Sequence, residues 1–240
     1  MSNFEPKGDI VSGPPALLPD PTKSLIGQHS ITLVPLTEAH IPDLYTSLGG
    51  PQNDHLYTYL PAGPFHDLSS FTTHFTSLIT SPIFFPYTIL STSTSLPNPV
   101  GVITYMNITP LHRTIEIGHV LFGSSLQRTP AATEANYLLM RHAFEDMHYL
   151  RVEWKANSFN EPSLRAAVRL GFVSEGVFRK HLVVKGRRRD TAWFSCLDEE
   201  WVREGRGGVK RGLEGWLDSG NFDEEGRQRR KLEEVREEGV

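Results

Sequence analysis

The sequence predicts an α+β, or mixed α/β, fold built on a central sheet. Three strand-like segments, at 84–91, 100–108 and 114–122, follow one another with only short turns between them. Helical and strand-like segments then alternate as far as residue 197. Consecutive strands joined by turns form an antiparallel meander. The order of three strands, helix, strand, helix and two strands indicates the α+β or mixed α/β class.

Local patterns define the elements before the meander. Residues 30–36 alternate between apolar and polar side chains as a strand does. Thr37 is suited to cap a helix that ends before Gly49. Between 54 and 82, proline and glycine interrupt a helical spacing of apolar residues, which predicts two short helices around a loop.

The second half of the chain repeats this kind of signal. Helix starts are marked by capping residues, and helix ends by glycine. The predicted elements are a helix at 130–147, a strand at 151–156, a helix at 161–170 closed by Gly171, and strands at 173–184 and 190–197.

The 240 residues suit one domain with terminal extensions. Residues 1–28 contain five prolines before Lys23 and no apolar period, so we predict an extended proline-rich arm that lies across the domain. Residues 29–200 form the predicted folded domain. Residues 201–240 are rich in Glu, Arg and Gly and predict a charged helical extension, with a helix at 209–217 and the character of a solvated surface appendage.

Composition narrows the function. The net charge of −4 and pI near 6.2 give no overall attraction to nucleic acid or to an anionic membrane. The single cysteine, Cys196, excludes an intrachain disulfide framework and is expected to be a small core residue. No segment approaches the roughly 18 apolar residues of a membrane span. We therefore expect a cytoplasmic protein. The ten histidines show no spacing typical of metal ligands.

The junction after strand 114–122 predicts an anion site. The strand enters a short loop that opens directly onto a helix, where free backbone N–H groups and the helix dipole favour negative charge. Thr129 can cap this helix, and Pro130 suits its first position. A nucleotide-phosphate loop would normally supply Gly-Lys-Ser/Thr, which is absent from this segment.

Two segments resemble the GNAT acetyltransferase superfamily. Gln127-Arg-Thr-Pro-Ala-Ala132 is similar to its pyrophosphate loop Gln/Arg-x-x-Gly-x-Gly/Ala, with Pro130 in place of the middle glycine. The run Asn160-Glu-Pro-Ser163 through Leu170-Gly-Phe172 resembles the Asn-x-x-Ser…Leu-Gly-Phe segment of the ribosomal-protein alanine acetyltransferase branch, and Thr133-Glu-Ala135 matches an Ala-Thr-Glu-Ala run there.

The resemblance implies a GNAT fold and acetyl-CoA as co-substrate. Its central twisted sheet would be mostly antiparallel, flanked by helices, and splayed between the fourth and fifth predicted strands, 114–122 and 151–156. The pantetheine arm would enter that gap as a pseudo-strand. The implied cofactor-binding residues are Leu121, Phe122, Gln127, Arg128, Thr129, Ala131, Ala132, Asn160 and Ser163.

Acyl transfer needs a proton acceptor for the amine and a partner for the leaving thiolate. Glu116, a carboxylate within an apolar strand, is the predicted base; an outward-facing surface glutamate is the alternative. Strand period places Gly118 and Val120 on its face and His119 on the other. Ser163 is expected to hydrogen-bond the CoA sulfur or to orient a water, although serine also suits a helix start.

The acceptor pocket is the least defined part. Tyr105 and Trp193, with Phe194, are candidates to line it, while core packing is the alternative for strand aromatics. The predicted function is transfer of acetyl from acetyl-CoA to a primary amine of a small molecule, amino acid or protein N-terminus, by direct attack. A catalytically silent acyl-CoA-binding protein on the same fold is the alternative. No metal is expected, and a homodimer is left open.

Overall fold

The computed structural model of the chain describes residues 8–238 and contains one sheet of eight strands. The strands are β1 Leu25–Ile26, β2 Ile31–Pro35, β3 Phe84–Ser91, β4 Asn98–Thr109, β5 Thr114–Phe122, β6 Arg151–Asn157, β7 Val173–Val184 and β8 Arg187–Leu197. They lie in the order β1-β2-β3-β4-β5-β6-β8-β7. Neighbouring strands are antiparallel except β5 and β6, which run parallel.

Helices flank this sheet, as the sequence predicts. They are α1 Ile41–Leu48, α2 Leu68–Ile79, α3 Pro130–Arg141, α4 Glu161–Leu170, α5 Asp198–Trp201, α6 Val209–Leu217 and α7 Leu232–Glu238. A π-helical turn at His142–Asp146 follows α3 and accounts for the longer helix predicted there. Within the predicted helical region 54–82, a 3₁₀ helix at Pro51–Tyr57 and α2 enclose the expected loop. No helix among residues 8–238 is long and apolar enough to cross a membrane.

The two faces of the sheet are covered differently. On one face, α3, α4, α6 and α7 bury a large core. On the other, α1 and α2 bury a smaller core that reaches Val102 of β4 and Leu121 of β5. This smaller core ends at β5, and the same face of β6 and β8 carries mainly polar side chains, with Trp193 among them.

The parallel pair β5 and β6 separates almost as soon as it forms. Its register comprises three residue pairs, Thr114 with Arg151, Ile115 with Val152 and Glu116 with Glu153. Beyond Glu116 no other described strand pairs with that edge of β5. The gap predicted between strands 114–122 and 151–156 is therefore confirmed, and unpaired backbone groups line it.

A β-bulge in β5 changes which side chains share a face. Thr104 of β4 pairs with Gly118, but Val102 pairs with Leu121, so β5 has one residue too many. His119 takes a left-handed conformation, with φ of 48°. The ring of His119 therefore packs against α2, while Val120 packs into the larger core. The simple alternation predicted for 116–120 is wrong beyond Gly118, because the bulge interrupts the two-residue period.

The N-terminal arm lies across the domain, as predicted, although it is not extended throughout. Its first seven residues lie outside the described part of the chain. The backbone N–H of Ala16 donates to Pro110 O at 3.0 Å and that of Leu17 to Met147 O at 2.9 Å. The arm ends in the short edge strand β1, and the buried Glu134 of α3 accepts hydrogen bonds from the backbone of residues 28 and 29.

The C-terminal segment is part of the main core, so the expected solvated appendage is wrong. The predicted helix at 209–217 is confirmed as α6, and a second helix follows at α7. The helices α6 and α7 each have one apolar face and one charged face. The apolar faces pack on α3 and α4, and the charged faces point outward. The buried residues from this segment are Trp201, Val209, Leu213, Trp216, Leu217, Leu232 and Val235.

Replacing Trp201 tests whether this segment stabilises the domain. Its indole is fully buried, stacks on Phe144 with ring centroids 5.3 Å apart, and donates to Glu145 at 2.9 Å. Trp201→Ala should lower the free energy of unfolding by about 3–5 kcal/mol, measured by urea denaturation with circular dichroism. The neighbouring Val202 is 63% exposed, and Val202→Ala should change stability by less than about 0.5 kcal/mol. Equal effects of the two changes would contradict this packing.

Candidate active site

Glu116 lies at the last paired residue before β5 and β6 separate. Its side chain is 5% exposed, so the outward-facing alternative is excluded by the structure. One carboxylate oxygen, Oε2, accepts hydrogen bonds from Asn107 Nδ2 at 2.6 Å and Lys155 Nζ at 2.7 Å. The surroundings are therefore not simply apolar: a buried carboxylate is stabilised here by a buried ammonium.

Lys155 begins a chain of charges across β6, β8 and β7. Its Nζ contacts Glu116 and also Glu153, each at 2.7 Å. Burial opposes the ammonium, but the two carboxylates outweigh it and raise the pKa of Lys155 above the ordinary lysine value. Arg151 then joins Glu153 at 2.8 Å to Glu175 at 2.6 Å. Alternating charges of this kind hold the polar side chains of this face in fixed positions.

Trp193 and Arg189 of β8 border the same polar face. Lys155 Nζ lies 4.1 Å from the centroid of the Trp193 ring, a cation–π contact. The Trp193 Nε1 and Arg189 Nε atoms are buried without a hydrogen-bond partner among residues 8–238. Burial also lowers the pKa of Arg189, and the negative charge of Glu116 acts in the opposite direction and raises it. Both groups are thus available to a molecule placed against Glu116.

The other aromatic candidates lie in the core. Tyr105 has no exposed surface, and its hydroxyl donates to the Leu139 carbonyl at 2.5 Å on the α3 side of the sheet. Phe194 is also buried in the core of that face. Strand alternation explains both, because their neighbours Thr104 and Trp193 point to the opposite side. The structure therefore corrects the expectation that Tyr105 lines the acceptor pocket.

Two histidines sit beside the β5 bulge. The rings of His119 and His74, from α2, are 5.4 Å apart, and each Nε2 is buried without a partner in the described part of the chain. Burial lowers the pKa of His119 to about 4, with a further contribution from His74. Burial likewise lowers the pKa of His74. Both rings are therefore neutral near pH 7 and form a polar but uncharged wall next to the gap.

The loop before α3 supplies free donors at the other end of β5. Thr129 caps the helix: its Oγ1 accepts from Ala132 N at 3.3 Å and donates to Leu126 O at 2.6 Å. The N–H groups of Arg128, Thr129 and Ala131 have no acceptor among residues 8–238. These donors and the exposed Arg128 side chain lie where the sequence predicts an anion site, and phosphate binding there stays a prediction.

Gln127 has a different contact from the one expected. Its Nε2 donates to the Phe122 carbonyl at 2.8 Å, which ties the loop to the end of β5. The side chain of Leu121 is buried in the smaller core, and its backbone pairs with Val102 of β4. Of the residues assigned to phosphate binding, Gln127 here acts on the loop itself.

The start of α4 brings a hydroxyl to the opposite side of β6. Asn160 caps the helix, with its Oδ1 accepting from Ser163 N at 3.4 Å. Ser163 Oγ accepts from Trp154 Nε1 at 3.0 Å. Because that bond uses a lone pair, the hydroxyl proton of Ser163 stays available for donation. Asn160 can therefore cap the helix while the Ser163 hydroxyl donates a hydrogen bond to a ligand.

The gap between β5 and β6 is where these groups can act on one molecule. Glu116, Lys155 and Trp193 lie on one face of the sheet, while Trp154 and the α4 hydroxyl of Ser163 lie on the other. A long ligand whose anionic end is bound at the α3 loop could extend along the unpaired edge of β5 to Glu116. Among residues 8–238, no group of three or more His, Cys, Asp or Glu side chains could hold a metal ion.

Several site residues give no signal in the sequence. Lys155 alternates with apolar residues on β6, a pattern typical of a surface lysine. Asn107 lies in a turn-like sequence, and the direction of the His119 side chain is set by the bulge. One signal was present: Glu153-x-Lys155 places two charges on one face of a strand that is central in the order of elements. Cys196 is fully buried, as predicted, and burial raises the pKa of its thiol.

Comparison with known proteins identifies related chains. The family model described as an acetyltransferase (GNAT) domain matches residues 30–173. A GCN5-related N-acetyltransferase from Brucella melitensis is 35% identical, with a TM-score of 0.86 over 93% of this chain and 98% of that one. An acetyltransferase of the GNAT family from Chromobacterium violaceum is 34% identical, with a TM-score of 0.76 over 85% and 100%.

A curated relative comes from Bacillus subtilis. "Putative ribosomal N-acetyltransferase YdaF" is 33% identical over 104 residues, which cover 43% of this chain and 56% of the relative. The chain thus spans about half the length of the curated relatives that it matches.

The Arg151–Glu175 pair predicts how stability depends on pH. The hydrogen bonds from Arg151 hold the pKa of Glu175 at about 2, below its ordinary value of 4.5. A depressed carboxyl pKa contributes stability that is complete above pH 4.5 and is lost as the pH falls towards 2. Glu175→Gln should therefore lower the urea midpoint at pH 6, and the difference from the native protein should shrink below pH 4.5.

The control for this prediction is Glu161→Gln. Glu161 is exposed and lies 3.5 Å from Arg165, a surface pair that contributes little. The urea midpoint of this variant should match that of the native protein at pH 6 and at pH 3. A Glu175→Gln difference that stays constant from pH 6 to pH 3 would contradict the pKa argument.

Proposed function

The chain belongs to the GNAT acetyltransferase family, and from this we propose that it transfers an acetyl group from acetyl-CoA to a primary amine. The single observation that carries the proposal is the position of Glu116. A buried carboxylate stands at the residue where β5 parts from β6, between a helix-capping anion loop and an open polar face. This arrangement provides a proton acceptor beside a slot for an extended ligand.

The residues around the slot fit acetyl-CoA. The free N–H groups of Arg128, Thr129 and Ala131, with the small side chain of Ala132, suit the pyrophosphate. The edge of β5 that β6 leaves uncovered, at the level of Phe122, suits the amides of pantetheine. Asn160 and Ser163 lie at the α4 end of the slot, where Ser163 can donate to the thioester sulfur.

Direct transfer follows from these positions. The amine nitrogen attacks the thioester carbonyl carbon, the carbon–sulfur bond breaks, and CoA leaves as a thiolate. Glu116 takes the proton released by the amine, directly or through a water, on the oxygen that Lys155 and Asn107 leave free. Ser163 stabilises the thiolate by hydrogen bonding. Since Lys155 holds the other oxygen, the carboxylate keeps one orientation throughout.

The acceptor is a primary amine, for which we propose a polypeptide N-terminus. The similarity to a protein named as a ribosomal N-acetyltransferase supports this choice. The surface beside Trp193 opens to solvent at Phe178, which suits an extended chain better than it suits one small molecule. Free amino acids and small amines are the alternatives, and the same assay distinguishes them.

Glu116→Gln tests the base. The variant keeps the size of the side chain and removes its capacity to accept a proton, so kcat should fall by about 10²–10⁴-fold. The Kd for CoA, measured by calorimetry, should stay within about twofold, which also shows that the variant is folded. Glu161→Gln, on the exposed face of α4, is the matched control and should retain full turnover.

The same measurements decide between enzyme and silent binding protein. Thiol release is followed with acetyl-CoA and a panel of peptides, amino acids and small amines, and Ser163→Ala is compared with the native chain. Tight CoA binding without thiol release above background across the panel would support the acyl-CoA-binding alternative. Light scattering in the same buffer measures whether the protein is a homodimer.

A further inference from the structure

The β7–β8 hairpin carries a cluster of cations beside the proposed acceptor face. Between 179 and 189 the cations are Arg179, Lys180, Lys185, Arg187, Arg188 and Arg189, and this interval contains no Asp or Glu. The chain as a whole has a net charge of −4. The hairpin is therefore a local positive surface on an acidic protein, which general solubility does not explain.

A bulge in β7, with two extra residues, changes the direction in which part of this cluster points. Phe178 pairs with Thr191 and Leu182 with Arg189, so residues 179–181 face the single residue Asp190. Lys180 takes a left-handed conformation with φ of 53°, and its N–H donates to Asp190 Oδ1 at 2.7 Å. Bulges of this type redirect side chains next to functional sites. Here the looped-out residues are Arg179, Lys180 and His181.

Several of these cations have no ion-pair partner in the described part of the chain. Arg188 pairs with Asp190 at 2.9 Å, and Lys185 Nζ donates to the Tyr57 carbonyl at 2.8 Å, which fixes the hairpin tip against the segment before α2. In contrast, Arg179, Lys180 and Arg187 have no carboxylate within ion-pair distance in the described part of the chain.

The looped-out residues border a shallow, open concavity next to Trp193. It has a volume of about 770 Å³ and is lined by Phe178, Arg179, Lys180, His181 and Arg188. The ring of Phe178 lies 4.6 Å, and that of His181 5.9 Å, from the ring of Trp193. Trp193 in turn contacts Lys155, the partner of Glu116. Phe178 is 53% exposed, so the concavity opens to solvent.

We propose that this concavity binds carboxylate side chains of the acceptor, so that the preferred substrates are polypeptide N-termini followed closely by Asp or Glu. The inference rests on the proposed acetyl transfer at Glu116. An extended peptide advances about 3.3 Å per residue, so residues at roughly the third to fifth positions reach the hairpin when the amine lies at Glu116. Positive charge at the rim of a site speeds the encounter with an acidic partner and weakens with salt.

A polypeptide fits this surface better than a nucleic acid does. Nucleic-acid sites usually spread their cations along a stripe or a whole face. Here the free cations are confined to one hairpin, and the carboxylate of Glu116 lies beyond Trp193 and Lys155, where it would attract an amine rather than a phosphate. An amine at the head of an acidic chain matches both ends of the surface.

Two peptides of equal length test the proposal. Both begin with the same two residues; one continues with Asp and Glu at positions three to six, and the other has Asn and Gln there. With the native enzyme and acetyl-CoA, kcat/KM should be at least about tenfold higher for the acidic peptide at 50 mM salt, mainly through KM. The ratio should fall towards one at 500 mM salt, where the Debye length is below about 5 Å.

Variants separate the hairpin from general charge. Arg179→Gln combined with Lys180→Asn removes two cations, and asparagine tolerates the left-handed backbone at 180. This double variant should lose most of the acidic preference. Arg206→Gln with Arg211→Gln removes the same charge from exposed positions of the C-terminal segment and should keep the preference. A preference unchanged in the hairpin variant, or absent from the native enzyme, overturns the proposal.

Binding measurements keep this test independent of catalysis. Fluorescence anisotropy with the two labelled peptides and CoA should show tighter binding of the acidic peptide even where neither is acetylated. In that case the transfer proposal fails and the hairpin proposal stands. Equal binding of both peptides, together with displacement by a single-stranded RNA oligonucleotide that the hairpin variant abolishes, would identify nucleic acid as the ligand and overturn the peptide assignment.

Discussion

The separation of β5 from β6 is the constraint on which the rest of the structure depends. Three residue pairs join the strands, and beyond Glu116 no strand among residues 8–238 covers this edge of β5. An open backbone edge inside a sheet is unfavourable unless a ligand or water satisfies it. The bulge at His119 and the capped start of α3 follow directly along the same strand and loop. The proposed cofactor slot, anion loop and proton acceptor thus all lie along one break in the sheet.

The ion pair between Glu116 and Lys155 fixes the chemistry at this break. Burying a carboxylate and an ammonium costs several kcal/mol for each ion, and the cost is offset only when geometry and further hydrogen bonds are good. Asn107 and Glu153 supply those bonds, and Trp193 covers the ammonium. The energy spent on burial therefore produces a carboxylate with one orientation and one free oxygen, which is what proton transfer at a defined place requires.

The terminal segments stabilise the elements that carry the site. The C-terminal helices pack on α3 and α4, whose N-termini bear Thr129 and Asn160. The N-terminal arm is joined to α3 through Glu134. Helix positions set by packing at both ends keep the anion loop and the Ser163 hydroxyl at constant places relative to the sheet. Regions that the sequence presents as peripheral thus act on the centre through these two helices.

By itself the sequence determined the order and type of nearly every element, because period, caps and glycine stops act within a few residues. It also determined the caps at Thr129 and Asn160 and the strand position of Glu116. Tertiary structure alone decided that Lys155 clamps Glu116, that a bulge turns His119 towards α2, that Tyr105 is enclosed in the core, and that the charged C-terminal segment is buried on one side. Each of these depends on which distant strand or helix lies opposite, and local pattern carries no information about that partner.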